Sequence, residues 1–213
     1  GPRPVARTTL LLAAVAVTFG AVVYLGALDG PFVYDDRMTV LGNPSIRDLG
    51  SPRALLLHDV FRPVVNLSYA LDHALWGLDP FGYHLTSLAL HLVNVLLLFV
   101  LTLHLARDLA AAGGEDDGAP AAPATAFVAA ALLAVHPLMT EAVGYVSGRS
   151  ELLATLFVLS GVLLFRRAVS GGLGWTLGGF AAFVLGAASK ETAAMLPFLL
   201  LAADLLLPGS DPQ

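Results

Sequence analysis

The sequence predicts an all-α, polytopic membrane protein with about six transmembrane helices and amphipathic surface helices in its first external loop. Three observations predict it. Of 213 residues, 57% are hydrophobic and 13% charged, and the mean hydropathy is +0.78. A water-soluble core of this size has no means of hiding so much apolar surface, so lipid must be the solvent for most of it. The apolar residues fall in segments close to the roughly 20 residues that a bilayer-spanning helix needs. Chain breakers and charges gather between those segments.

The spans follow in order. Residues 8–28 carry no charge, are too long for a signal-peptide core, and lack a small-residue cleavage site after them. Residues 83–105, 124–143, 151–165, 173–189 and 191–207 complete the set, the fourth ending at Arg166-Arg167. The transmembrane module therefore covers 1–207, with a loop at 29–82, an Ala/Gly/Pro/acid loop at 106–123 that contains Glu115, Asp116 and Asp117, and a short tail at 208–213. Opening on Gly1 and stopping just after a hydrophobic segment, the chain reads as a piece of a longer protein.

Cations in short loops set orientation. Arg3, Arg7, Arg107, Arg166 and Arg167 become cytoplasmic if the N-terminus is inside. The other face then receives the 29–82 loop and the turns at 140–150 and 189–191. Those regions also hold Arg37, Arg47, Arg53, Arg62, Arg149 and Lys190, so the positive-inside count is not clean. External cations kept against that bias point to a task such as holding an anion. The Ala-, Gly- and Leu-rich composition with ten Arg to one Lys fits a GC-rich bacterial genome, hence a bacterial cytoplasmic membrane; in a eukaryote the same topology implies the ER membrane.

The 29–82 loop reads as folded. Pro63 suits a helix's first turn, and Val64, Leu67, Leu71 and Leu75 recur at helical spacing, with Asn66, Asp72 and His73 elsewhere on the wheel. Pro52 and Leu55 to Leu57 suggest another short helix before it.

Polar groups beside spans carry the functional information, because lipid penalises them. Asp35-Asp36 follow the first span; adjacent carboxylates seldom point to one place, so one faces a site and the other a partner such as Arg37, or both are a solvated capping pair. Arg62 opens a helix, where a cation opposes the helix dipole unless it shares a bound phosphate with the backbone N–H groups; the alternative is contact with lipid headgroups. Glu141, Arg149 and Glu151 sit on the third-to-fourth turn, as a site or as a salt bridge. Lys190-Glu191 is either functional or a snorkelling interfacial pair, and Asp204 reads as a helix-end residue. His84 and His91 share a face but lie about 10 Å apart along a helix, too far for one ion, and His136 caps the third span. No zinc-type spacing is present, and the absence of cysteine excludes disulfides and thiolate metal sites. A net charge of -5 gives no footprint for nucleic acid.

Tyr34-Asp35-Asp36, Phe61-Arg62-Pro63, Gly82-Tyr83-His84-Leu85, His91 with Asn94, His136-Pro137, Thr140-Glu141-Ala142-Val143, Gly148-Arg149, Glu151-Leu152-Leu153 and Ser189-Lys190-Glu191-Thr192, in this order, resemble the transmembrane and tetratricopeptide-repeat O-mannosyltransferases and their bacterial relatives. More distantly they resemble protein O-mannosyltransferases and lipid A aminoarabinose transferases, all of the GT-C superfamily. The likeness covers nearly the whole chain and rests on the order of the motifs, since none is specific alone. It implies the N-terminal half of a GT-C fold, a donor sugar such as mannose on a polyprenyl phosphate, and a hydroxyl acceptor on protein or glycan. Asp35 would be the base, Glu151 a second acid for acceptor or metal, and Arg62 with Lys190 the phosphate clamp. Asp36, Arg149, Glu141 and His136 would support them. The resemblance names no certain cofactor and leaves room for a divalent metal. Phe61 departs from the Tyr of many relatives, and the second membrane half and the repeats lie outside this chain. The rival from another class is a non-catalytic module, a scaffold or a flippase for a lipid-linked sugar. A flippase would place charges along a path through the bilayer, whereas these gather at one face.

Overall fold

A computed structural model describes residues 4–114, 121–169 and 171–206, with side chains from 6 to 202. Arg3, the acids Glu115, Asp116 and Asp117, and the 208–213 tail lie outside the described residues, as does the side chain of Asp204. The described chain is 83% helical with no strand. Among the described residues, three helices are long and apolar enough to cross a membrane, over Ala6–Asp29, Pro80–Ala112 and Val146–Val169, and three shorter apolar ones cover Ala122–Ala134, Leu173–Ala187 and Glu191–Ala202.

Helix α1 (Pro4–Tyr24) runs into a tight turn at Leu25–Asp29. In the loop, α2 (Pro52–His58) and α3 (Pro63–Trp76) each begin on the expected proline. Helix α4 (Pro80–Ala112) is capped by the Asp79 carboxylate, which accepts the Phe81 N–H at 3.1 Å. Then come α5 (Ala122–Ala134), α6 (Met139–Gly144), α7 (Arg149–Val169), α8 (Leu173–Ala187) and α9 (Leu196–Leu206).

The third span is shorter than the 124–143 expected from hydropathy. Proline at 137 lacks a backbone N–H and disfavours helical geometry in His136, so α5 stops at Ala134 and the chain restarts as α6. Apolar stretches flank this break on both sides, so a hydropathy window runs across it. The His136 carbonyl accepts the Met139 N–H at 2.9 Å and also the Tyr24 hydroxyl at 2.8 Å, which ties the break to the end of α1.

Small residues hold the membrane helices close. Ala13, Ala16, Ala126, Ala130 and Ala134 pack against Val95, Phe99 and Leu103 where α1, α4 and α5 meet. A side chain at Gly161 of α7 would lie 2.6 Å from Leu196 of α9. At the opposite end from the loop, Arg166 of α7 pairs with Asp108 of α4, so the C-terminal ends of these two helices share a face.

The 29–82 loop is packed, not draped. Val40, Ile46, Leu55, Val65 and Tyr69 form a core with Tyr83, Val146 and Leu153 of the membrane helices and their turns. Helix α3 buries Asn66 and Asp72 and leaves Leu67, Leu71 and Leu75 exposed. The apolar stripe thus faces outward, as a helix lying against lipid requires. Asn66 is satisfied inside: its amide donates to Ser45 Oγ and the Leu55 carbonyl, while its oxygen accepts from Asn43.

Candidate functional site

The two adjacent aspartates diverge. Tyr34, just before them, adopts a left-handed backbone (φ 45°), unusual for a bulky residue. Asp36 is fully buried; its carboxylate accepts the Ser147 N–H at 2.8 Å, the Ser147 hydroxyl at 2.6 Å and the Val33 N–H at 3.1 Å. Its partner is Ser147 rather than Arg37, which is exposed. Asp35 stays exposed and lines a cavity, its backbone N–H donating to the Tyr145 hydroxyl at 3.1 Å. Burial pushes the Tyr145 hydroxyl above its ordinary range, so it stays protonated at neutral pH.

That cavity has a volume of about 760 Å³. Asp35, Arg62, Glu141, Glu151 and Lys190 all line it. They come from the loop, the start of α3, α6, the start of α7 and the turn after α8, at sequence separations of up to 155 residues.

Arg62 precedes α3 and pairs with Glu191 at 3.5 Å. Lys190 pairs with Glu151 of α7. The neighbours Lys190 and Glu191, adjacent in sequence, therefore serve different partners: the extended backbone at Lys190 sends the two side chains opposite ways. Both cations of the expected phosphate clamp thus hold carboxylates. Glu141 lies in the first turn of α6 and is exposed to the cavity.

Arg149 does not pair with Glu151. It is fully buried, outside the cavity lining, with Nη1 2.6 Å from Asp72 Oδ2. It also donates to the Tyr83 carbonyl at 2.7 Å and the Ser68 hydroxyl at 3.2 Å, and lies 4.8 Å from the Tyr69 ring centre. Gly148 just before it has no room for a side chain: a Cβ would sit 2.6 Å from the Glu141 carbonyl oxygen. His136 is exposed and does not line the cavity; its Nδ1 accepts the Leu138 N–H at 3.3 Å. No three His, Asp or Glu residues among those described cluster so as to hold a metal ion.

Sequence reasoning passed over several lining residues. His58 and Asp59 stand beside Arg62, and the Asp59 carboxylate accepts the N–H groups of Phe61 and Arg62, each at 3.1 Å, so it shapes the entry to α3. The available signal was the Asp59 spacing, which is that of a side-chain turn onto residues two and three ahead. His91 and Asn94 were noted as a motif and given no role; both line the cavity from α4.

The chain is 34% identical over 167 residues to the protein O-mannosyl-transferase Tmtc3 of Drosophila melanogaster, an alignment covering 70% of this chain and 18% of that protein. It is 34% identical over 160 residues to Tmtc1 of the same organism, 68% of this chain and 17% of that protein. With mouse TMTC1 it shares 30% identity over 190 residues, 81% of this chain and 18% of the relative. This chain is a homologue of the TMTC proteins. It spans less than a fifth of the length of these TMTC relatives. No family model matches the chain. No solved structure matches it either.

Proposed function

We propose that this chain supplies the donor-binding and catalytic part of a membrane glycosyltransferase that moves mannose from a polyprenyl phosphate to a protein hydroxyl on the external or lumenal face. The observation that carries this reading is the convergence of Asp35, Glu151, Arg62 and Lys190 on one cavity. The names of the TMTC relatives as protein O-mannosyl-transferases support the sugar and the acceptor class.

Transfer from a phosphate needs a base, a stabilised leaving group and a place for the lipid. The acceptor oxygen attacks the anomeric carbon while the bond from that carbon to the phosphate oxygen breaks. The proton passes to the Asp35 carboxylate, and polyprenyl phosphate departs with the bonding pair. Base assistance contributes about 10²–10⁴-fold, and electrostatic stabilisation of the departing anion is the larger contribution. Arg62 and Lys190 provide that stabilisation. The donor's phosphodiester, singly charged until the sugar leaves, exchanges places with Glu191 and Glu151, whose pairs with these cations are partly exposed and so weak enough to yield. Glu151, once released, is free to position the acceptor. Exposed Leu56, Leu57, Val60 and Phe61, next to Arg62, offer an apolar edge along which the prenyl tail stays in the bilayer.

The test uses the full-length protein in lipid nanodiscs with polyprenyl-phosphate mannose and a Ser/Thr peptide. Mannosylated peptide is expected, and Asp35→Asn abolishes most of it. A protein that binds or translocates the donor without transferring mannose is a non-catalytic module, and the enzyme reading fails.

A further inference from the structure

The inner reach of the cavity carries two unused acceptors. His91 and Asn94 lie eleven and fourteen residues along α4 from Pro80, roughly 16 and 21 Å below its start. Three residues apart, they share a helix face. Both line the cavity, yet their residues are 0% and 2% exposed. His91 spends its ring N–H on the protein, and Asn94 one of its two amide N–H groups. His91 Nε2 faces the Ala134 carbonyl at 3.3 Å, and a carbonyl only accepts, so the ring proton sits on Nε2. Asn94 donates its amide to the Leu152 carbonyl at 2.9 Å. What remains is His91 Nδ1 and Asn94 Oδ1, both buried with no hydrogen-bond partner. A buried acceptor left unmatched costs about 1–3 kcal/mol, so such a pair calls for a ligand that supplies donors.

We propose that His91 and Asn94 form a hydroxyl-recognition subsite for the sugar of the donor. This rests on the reading of the cavity as a polyprenyl-phosphate-sugar site. The chemistry separates the two ends of the cavity. Bare acceptors repel a phosphate, which carries no donor when ionised, and welcome vicinal hydroxyls, which donate. Cations at Arg62 and Lys190 do the reverse. The cavity therefore has a phosphate end at the membrane surface and a sugar end against α4, and Thr155 of α7 lines it too, one turn on from the Leu152 that holds Asn94.

Two probes test it on the purified full-length protein in nanodiscs: a short-chain polyprenyl phosphate, and the same lipid carrying mannose. His91→Phe keeps a ring against Tyr24, which now meets His91 edge-on at 5.2 Å between centres. Asn94→Leu removes the amide. Each variant is expected to weaken binding of the mannosylated lipid by about threefold to tenfold and leave the bare lipid phosphate unchanged. Retained binding of the bare lipid also reports that the variant is folded. Should Asn94→Leu not fold, His91→Phe decides alone. Loss of both probes in parallel, or of neither, overturns the subsite while the donor site stands. Failure of the wild-type protein to bind either probe overturns the polyprenyl-phosphate reading itself, and the subsite with it.

Discussion

Arg149 and Asp72 form an ion pair at 2.6 Å with their side chains 0% and 4% exposed. It joins α7 to α3, and so fixes the wall that carries Glu151 against the helix that Arg62 opens. Water cannot compensate either charge at that depth. The pair survives because the guanidinium also donates to Tyr83 and Ser68 and lies over Tyr69.

Removing one partner strands the other. Asp72→Asn is expected to destabilise the folded chain by about 3–5 kcal/mol, seen as a large drop in the thermal unfolding temperature in detergent. Arg149→Met combined with Asp72→Asn should recover part of the loss, because no buried charge is then unmatched. A single variant with wild-type unfolding temperature would refute the structural role.

The two aspartates should separate cleanly. Asp35→Asn lowers turnover of the full protein by about 10²–10⁴-fold with donor binding and unfolding temperature preserved. Asp36→Asn lowers stability instead, because it weakens the bonds to Ser147, and Ser147→Ala should reproduce part of that effect while Arg37→Ala does not. Wild-type turnover in Asp35→Asn ends the base assignment.

Under the proposed function, Glu191 competes with the donor phosphate for Arg62. Arg62→Ala weakens binding of a short-chain polyprenyl phosphate, measured by titration calorimetry. Glu191→Gln frees the cation, and binding should tighten by a few-fold, as expected for removal of a partly exposed pair. Weaker binding in Glu191→Gln would mean that the carboxylate helps the donor and does not mimic it.

Orientation is testable because the chain has no cysteine. Ser45 is a poor probe position, since it is buried against Asn43 and Asn66. Ala54 on α2 and Arg107 on α4 are exposed. Ala54→Cys should label with an impermeant thiol reagent in intact cells, and Arg107→Cys only after lysis. The opposite pattern inverts the topology and places the cavity in the cytoplasm.

Hydropathy located the long spans well, because lipid demands about 20 apolar residues and tolerates few charges. It overran at the third, where Ala134 and Val143 belong to apolar stretches on either side of His136-Pro137. Here the backbone, not the side chains, decides: a missing N–H ends the helix without altering composition. Arg62, Lys190, Asp35 and Glu151 were legible as candidates since charges beside spans are costly to keep. His91 and Asn94 were visible as residues but not as a subsite, because whether a polar atom is satisfied depends on carbonyls 43 and 58 residues away.

The sequence by itself determined that this chain lives in a bilayer, that its loop begins helices at Pro52 and Pro63, and that its candidate site charges lie near helix ends. Only the tertiary structure decided who holds whom. Lys190 and Glu191 are neighbours yet bind Glu151 and Arg62, and Arg149 turns from Glu151 to Asp72. Pattern along a chain records which solvent each segment prefers, a local property that periodicity encodes. Pairing between charges is set by distances across the packed helices, and those follow from how small residues and a proline break let α1, α4, α5 and α7 approach.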